Sequence, residues 1–185
     1  MVTRKYTSDY RLENSVDPKS GRLVTRPVYR GDWYGFLEPP ETVARTRKTY
    51  LVCTGAAALA FLAALSLNAP ATRVLYVLLP FALLLFPVYY AAAGCRRLVT
   101  AGERMTREHR DKIYDRLCSA TLFLMIFSGA SALGHAVMWA LRGESARDAI
   151  FLALTLVIFA AGLVMFRARR LLRLEKTGTA REDEA

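Results

Sequence analysis

The chain has 185 residues, 54% of them hydrophobic, and a formal net charge of +10. So much apolar material in so short a chain leaves no room for a sizeable soluble catalytic domain, and the basic surplus points to anionic lipid headgroups, not to nucleic acid. Four stretches free of Asp, Glu, Lys and Arg, at about residues 50–69, 74–95, 118–141 and 149–166, can each cross a ~30 Å hydrocarbon core as a helix. The expected fold class is therefore all-α. It is an integral membrane, antiparallel four-helix transmembrane bundle at 41–177, with a small N-terminal cytoplasmic module at 1–40 and a flexible tail at 178–185.

Residues 1–40 are polar and carry turn chemistry. Asp17-Pro18-Lys19-Ser20-Gly21 reads as a reverse turn, proline presetting φ and glycine accepting a positive φ. The partly alternating flanks, Tyr10–Glu13 and Arg22–Thr25, predict a β-hairpin. A lone hairpin is marginal in water and needs a surface to pack on. Tyr29, Trp33, Tyr34 and Phe36 supply aromatic surface for the bundle base or the headgroup region. Arg30-Gly31-Asp32 matches an integrin-recognition tripeptide, but the topology below places it inside, and a simple turn accounts for it. No charged, apolar, then small leader opens the chain, so the first span is expected to be an uncleaved anchor.

Pro39-Pro40 closes this region and Glu41-Thr42 opens a helix, with acid in its first turn. The first span carries Ala56, Ala60 and Ala64 at four-residue spacing, a small-residue ridge that lets backbones approach. The second carries Pro80 and Pro87, which fall on nearly one face. Each removes a backbone donor and bends the helix, which makes the pair a candidate hinge or a curve around neighbouring helices. The carbonyls they free must meet neighbours or line a cavity.

In the 96–117 connection, Thr100-Ala101-Gly102-Glu103 predicts a turn and capping box. Glu103/Arg107, Arg107/Asp111 and Glu108/Lys112 stand at i,i+4 and support an exposed helix. One helix from about Glu103 to Leu141 is expected, leading from the cytoplasm into the third span. Its charged surface reads as a solvated face or as a partner-binding surface at 103–117.

The third span is the most polar. Thr121, Ser128, Ser131 and His135 share roughly one face, beside a ridge of Ser128, Ala132, Ala136 and Ala140. His135 would shuttle a proton or ligate a metal in a functional reading, and hydrogen-bond a neighbouring helix in a structural one. The fourth span is plain, with Thr155 its only polar interior residue and Ala161-Gly162 permitting close packing. Arg167, Arg169, Arg170 and Arg173 are expected to continue that helix as a basic cuff before an acidic tail at Arg181–Ala185. The matching Arg96-Arg97-Leu98 and Arg169-Arg170-Leu171 leave a two-hairpin duplication open.

Basic residues set the expected topology. About ten stand before the first span, about seven in the 96–117 connection and about six after the fourth, against Arg73, Arg142 and Arg147 in the other two connections. The positive-inside rule then puts both termini in the cytoplasm of what reads as a prokaryotic cell membrane. Tyr50, Tyr89, Tyr90, Tyr114 and Phe166 fall at the inner interface, and Tyr76 and Trp139 at the outer one.

No nucleophile–base constellation, zinc-protease pair or phosphate-cradling loop is present in the sequence. Ser131 and His135 stand one turn apart on one helix, a poor arrangement for attack by one and proton abstraction by the other. Cys53, Cys95 and Cys118 fall near the inner ends of three spans; without Cys-x-x-Cys spacing they read as free thiols and not as a metal site. No catalytic residue, metal or cofactor is expected. The expected function is that of a non-catalytic multi-pass membrane protein: a scaffold, accessory subunit or regulator. The alternative is an oligomeric small-solute channel or carrier, its path lined by the second and third spans. Expected partners are anionic headgroups and a protein bound through the N-terminal module or the 103–117 helix. A homo-oligomer stays open.

Overall fold

The computed structural model describes residues 4–16, 23–102, 104–142 and 145–179. Strands β1 (Tyr10–Val16), β2 (Leu23–Tyr29) and β3 (Asp32–Phe36) precede helix α1 (Pro40–Ser66). A 3-10 turn at Pro70–Arg73 leads to α2 (Leu75–Leu83) and α3 (Leu85–Thr100). Then follow β4 (Met105–Thr106), α4 (Arg107–Arg142), α5 (Ala146–Ala168), a 3-10 turn at Arg169–Leu172 and β5 (Leu174–Thr179). Counting α2 and α3 as one, four helices are long and apolar enough to cross a membrane.

The helices form a ring in the order α1, α5, α4, α2/α3 and back to α1. Chain direction makes every neighbouring pair antiparallel. The buried stripe of α1, which includes Val43, Tyr50, Ala57, Phe61 and Ala64, recurs at three or four residues. It is the stripe that a 3.6-residue period must turn inward. Close approach on α4 and α5 depends on glycine. A Cβ on Gly162 would stand 3.0 Å from Met125 Cγ, and one on Gly134 would stand 3.2 Å from the Tyr76 carbonyl oxygen.

At one end of the bundle, strands from three distant parts of the chain meet. β3 lies between β4 and β5, antiparallel to both, with Trp33 opposite Thr106 and Phe36 opposite Leu174. Beside this sheet, β1 and β2 pair from Tyr10↔Tyr29 to Val16↔Leu23, the hairpin that the alternation predicts. Its Asp17–Gly21 turn lies outside the described residues. The aromatic residues after it rest on the base of the bundle. Arg110 lies over the Tyr34 ring, Arg47 lies over the Phe36 ring, and the Tyr29 hydroxyl accepts from the Arg107 N–H at 3.0 Å.

The three-stranded sheet corrects two readings and extends a third. The helix expected from Glu103 begins instead at Arg107, because Met105 and Thr106 extend to pair with β3. Thr106, not Thr100, provides the cap, its Oγ1 accepting from the His109 N–H at 3.4 Å; Glu103 lies outside the described residues. The basic cuff does not continue as an α-helix either. After Ala168 the chain tightens into the 3-10 turn and then extends as β5, where Lys176 pairs with Asp32 at 2.9 Å. An all-α description therefore omits a small β-cap that ties both flanks of the bundle together. Arg30 and Asp32 of the integrin-like tripeptide are likewise engaged within the fold, Arg30 with Glu13 and Asp32 with Lys176.

At the opposite end, Asn68 takes φ 43° just past the end of α1, the left-handed position that lets a helix stop. Asp148, three residues beyond the α5 N-cap Ser145, is buried and accepts the Ala71 N–H at 2.9 Å. One carboxylate thus joins the turn between α1 and α2 to the start of α5.

Candidate functional site

The polar face of α4 is interior. Thr121, Ser128, Ser131 and His135 are all essentially inaccessible. A hydroxyl in an apolar interior needs an acceptor, and a helix offers the carbonyls one turn back. Thr121 donates to Cys118, Ser128 to Leu124 and, on α5, Thr155 to Phe151. Ser131 crosses to another helix, donating to the Val77 carbonyl of α2 at 3.4 Å. The alanine ridge does not follow this stripe. Ser128 is buried, but Ala136 and Ala140 are exposed, and Met138 takes the inward place.

His135 belongs to an aromatic layer that touches every helix of the ring. Its imidazole stacks on Phe151 of α5 with centroids 5.9 Å apart. Phe151 meets Phe81 of α2 at 4.9 Å, and Phe81 meets Phe61 of α1 at 5.2 Å. Four rings from four helices therefore occupy one level of the core. Offset and tilted rings at such separations attract one another beyond simple burial. Phe151 and His135 are among the most deeply buried side chains in the chain.

The two prolines have different outcomes. Pro80 lies inside α2, where its ring faces the Tyr76 carbonyl one turn back, the same carbonyl that Gly134 approaches. Pro87 is the third residue of α3, just after Leu84, which keeps helical φ −59° and ψ −23° where α2 meets α3. It has no N–H to give to the Leu83 carbonyl. Beside it, the seam between α2/α3 and α4 holds a lateral groove of about 610 Å³. Leu83, Phe86 and Pro87 form one wall and Ala120, Phe123 and Phe127 the other. Tyr90, Asp115, Arg116 and Ser119 gather at the end nearer the β-cap. Of the groove's lining, Pro87 and Tyr90 are among the residues singled out from sequence as a candidate hinge and an interfacial aromatic, while Asp148 is not. The stripe 116, 119, 120, 123 and 127 has helical spacing, but only α3 beside it makes it a wall.

Two smaller hollows flank the β-cap. Arg47 spans the first, donating to the Ala101 carbonyl at 2.8 Å and covering Phe36. Arg110, Tyr114 and Glu175 line the second. On the 103–117 segment, Glu108 pairs with Lys112 as the spacing predicts, and Asp111 accepts from Tyr6 at 2.9 Å. Cys53, Cys95 and Cys118 are free thiols. Among the described residues, no three His, Cys, Asp or Glu side chains converge as metal ligands. Comparison with protein families, with curated proteins and with solved structures returns no match.

Proposed function

We propose that the chain is an integral membrane protein that crosses four times, with the β-cap, both flanking segments and the 96–117 connection in the cytoplasm. Within the membrane it works without catalysis, as a scaffold, accessory subunit or regulator. Support for insertion comes from the outside of the bundle. Leu59, Leu62, Leu79, Leu133, Val157 and Val164 are exposed on the four helices, and an apolar girdle of that extent is untenable in water. Basic residues crowd the β-cap end, the side that the positive-inside rule assigns to the cytoplasm.

The observation that carries the non-catalytic reading is the fate of the inward polar groups. Thr121, Ser128 and Thr155 bond to their own helices, Ser131 bonds to α2, and His135 stacks in the aromatic layer. Bonded and stacked in this way, these groups hold neighbouring helices together. The partner surface lies in what the β-cap leaves open. Leu12, Leu23 and Val24 on the hairpin are exposed, as are Arg107 and His109 at the start of α4. Purification in mild detergent should recover a stoichiometric partner that is lost when Leu12 and Leu23 are both changed to Ser.

The groove between α2/α3 and α4 favours a second reading, a small-solute carrier with its path along the second and third spans. Flux in reconstituted vesicles decides between the two. The scaffold reading expects no flux above protein-free vesicles. Solute flux abolished by His135→Gln would replace it with the carrier.

A further inference from the structure

We propose that the groove between α3 and α4 is a binding site for a single phospholipid with a primary-amine, phosphoethanolamine-type headgroup. The inference rests on the membrane reading above and adds a defined ligand to it. Three features of the groove support it.

Depth is the first. Along α4, Arg116 and Phe127 are eleven residues apart, about 16 Å at ~1.5 Å per residue. That is roughly half of a ~30 Å hydrocarbon core, the reach of one acyl chain in one leaflet. The groove begins at the basic end of the bundle, so the leaflet is the cytoplasmic one. Shape is the second feature. The walls are aromatic and aliphatic, and the volume of about 610 Å³ lies within the range of well-formed ligand sites. It opens sideways between helices, as a site filled from the bilayer must.

Charge is the third, and it selects the headgroup. Four polar side chains stand at the shallow end: Tyr90, Asp115, Arg116 and Ser119. Asp115, Arg116 and Ser119 are exposed there. A guanidinium suits a phosphate diester, and hydroxyls of Ser119 and Tyr90 can donate to its oxygens. The adjacent carboxylate disfavours a second negative charge and matches an ammonium. A phosphoethanolamine headgroup carries both charges and can donate N–H bonds to Asp115. A glycerol headgroup brings the carboxylate hydroxyl donors but no counter-charge, and a trimethylated amine offers it no N–H donor. Pro87 itself lines the α3 wall of the seat, opposite Ala120 and Phe123 of α4.

The test uses the full chain. Alkaline extraction of membranes comes first; release into the soluble fraction sinks the membrane reading itself, separately from the lipid assignment. Native mass spectrometry in mild detergent then compares phosphatidylethanolamine, phosphatidylglycerol and phosphatidylcholine with identical acyl chains. One phosphatidylethanolamine should be retained at least about tenfold more tightly than either other lipid, ~1.4 kcal/mol. Ser119→Trp, which places a large ring in the groove, should abolish that retention while the protein stays monodisperse with an unchanged helical spectrum. Asp115→Asn should remove the preference for the amine headgroup but keep one bound lipid, and Arg116→Gln should weaken all three lipids. Equal retention of the three lipids overturns the headgroup assignment, as does tighter phosphatidylglycerol. Retention that survives both Ser119→Trp and the milder Ser119→Phe overturns the groove.

Discussion

His135 shows how a residue's neighbours decide its meaning. In sequence it is a lone imidazole among apolar residues, open to proton transfer, metal binding or packing. In the fold it stacks on Phe151, and the layer continues through Phe81 to Phe61. His135→Gln should therefore leave any biological activity intact, and His135→Ala should cost ~1–2 kcal/mol, comparable to a lost interhelical contact in a membrane. Phe151→Ala removes the ring between two others and should cost more, ~3–5 kcal/mol. Unfolding in mixed micelles would measure both; a larger loss for His135→Ala would contradict the layer as the source of the effect. Outside the spans, two tyrosines make a pH prediction. Burial raises the Tyr29 phenol above its ordinary value, Asp9 adding to the effect although the Arg107 N–H bond works against it. Burial likewise raises Tyr10, reinforced by Glu108 and Asp9. A raised folded value means that the unfolded chain releases its proton first. The resulting stability is complete below an ordinary tyrosine value of ~10 and is lost as pH rises through the higher folded values. Trp33 touches the Tyr29 ring at 5.0 Å, so its fluorescence in a Trp139→Phe background should report the β-cap loosening at alkaline pH. Joint replacement of Tyr10 and Tyr29 by Phe should flatten that response.

At the scale of elements, local chemistry was legible and distant pairing was not. The β1–β2 hairpin follows from alternation on either side of a turn, and Pro39-Pro40 with Glu41 marks the start of α1. The Thr121–His135 face was legible as a stripe through its helical period. Periodicity cannot say whether such a stripe lines a path or a seam, because that depends on which helix stands opposite. The β4–β3–β5 sheet was hidden for a related reason. Its partners lie far apart in the chain, and Met105-Thr106 is too short to show alternation. The helix start at Thr106 was within reach, since Thr106-Arg107-Glu108 is an N-cap followed by an acid in the first turn. Thr106→Ala should therefore weaken the start of α4 by ~1 kcal/mol, while Thr100→Ala should change little, as an exposed residue at the end of α3. Amide exchange in residues 107–112 separates the two. The groove was the least legible feature: facing helices build it together, and no single segment contains its pattern.

At the scale of the whole molecule, the β-cap turns a statistical argument about charge into a mechanical one about topology. The segment before α1, the connection into α4 and the segment after α5 contribute adjacent strands to one sheet. Strand neighbours share backbone hydrogen bonds about 4.8 Å apart, so these segments cannot lie on opposite sides of a bilayer. Four antiparallel crossings meet that demand, and an arrangement in which one span fails to cross would tear β3 from β4 or β5. In the proposed topology, the charge distribution is what selects the side the sheet occupies. In the sequence, about 23 of the 26 Lys and Arg residues fall before the first span, in the 96–117 connection or after the fourth span, against Arg73, Arg142 and Arg147 in the other two connections. Single cysteines introduced into a variant with Cys53, Cys95 and Cys118 replaced by Ser should respond accordingly in intact cells. An impermeant thiol reagent should label a cysteine at Ser145 and leave one at Ser20 untouched until the membrane is opened. The sheet demands, independently of charge, what the basic residues also predict: cysteines at Ser20, Gly102 and Thr177 must all behave alike. Labelling of Ser20 but not Ser145 from outside would invert the molecule and leave the fold standing. Labelling of Thr177 from outside with Ser20 protected would separate β5 from β3, and the four-span arrangement would fail with it.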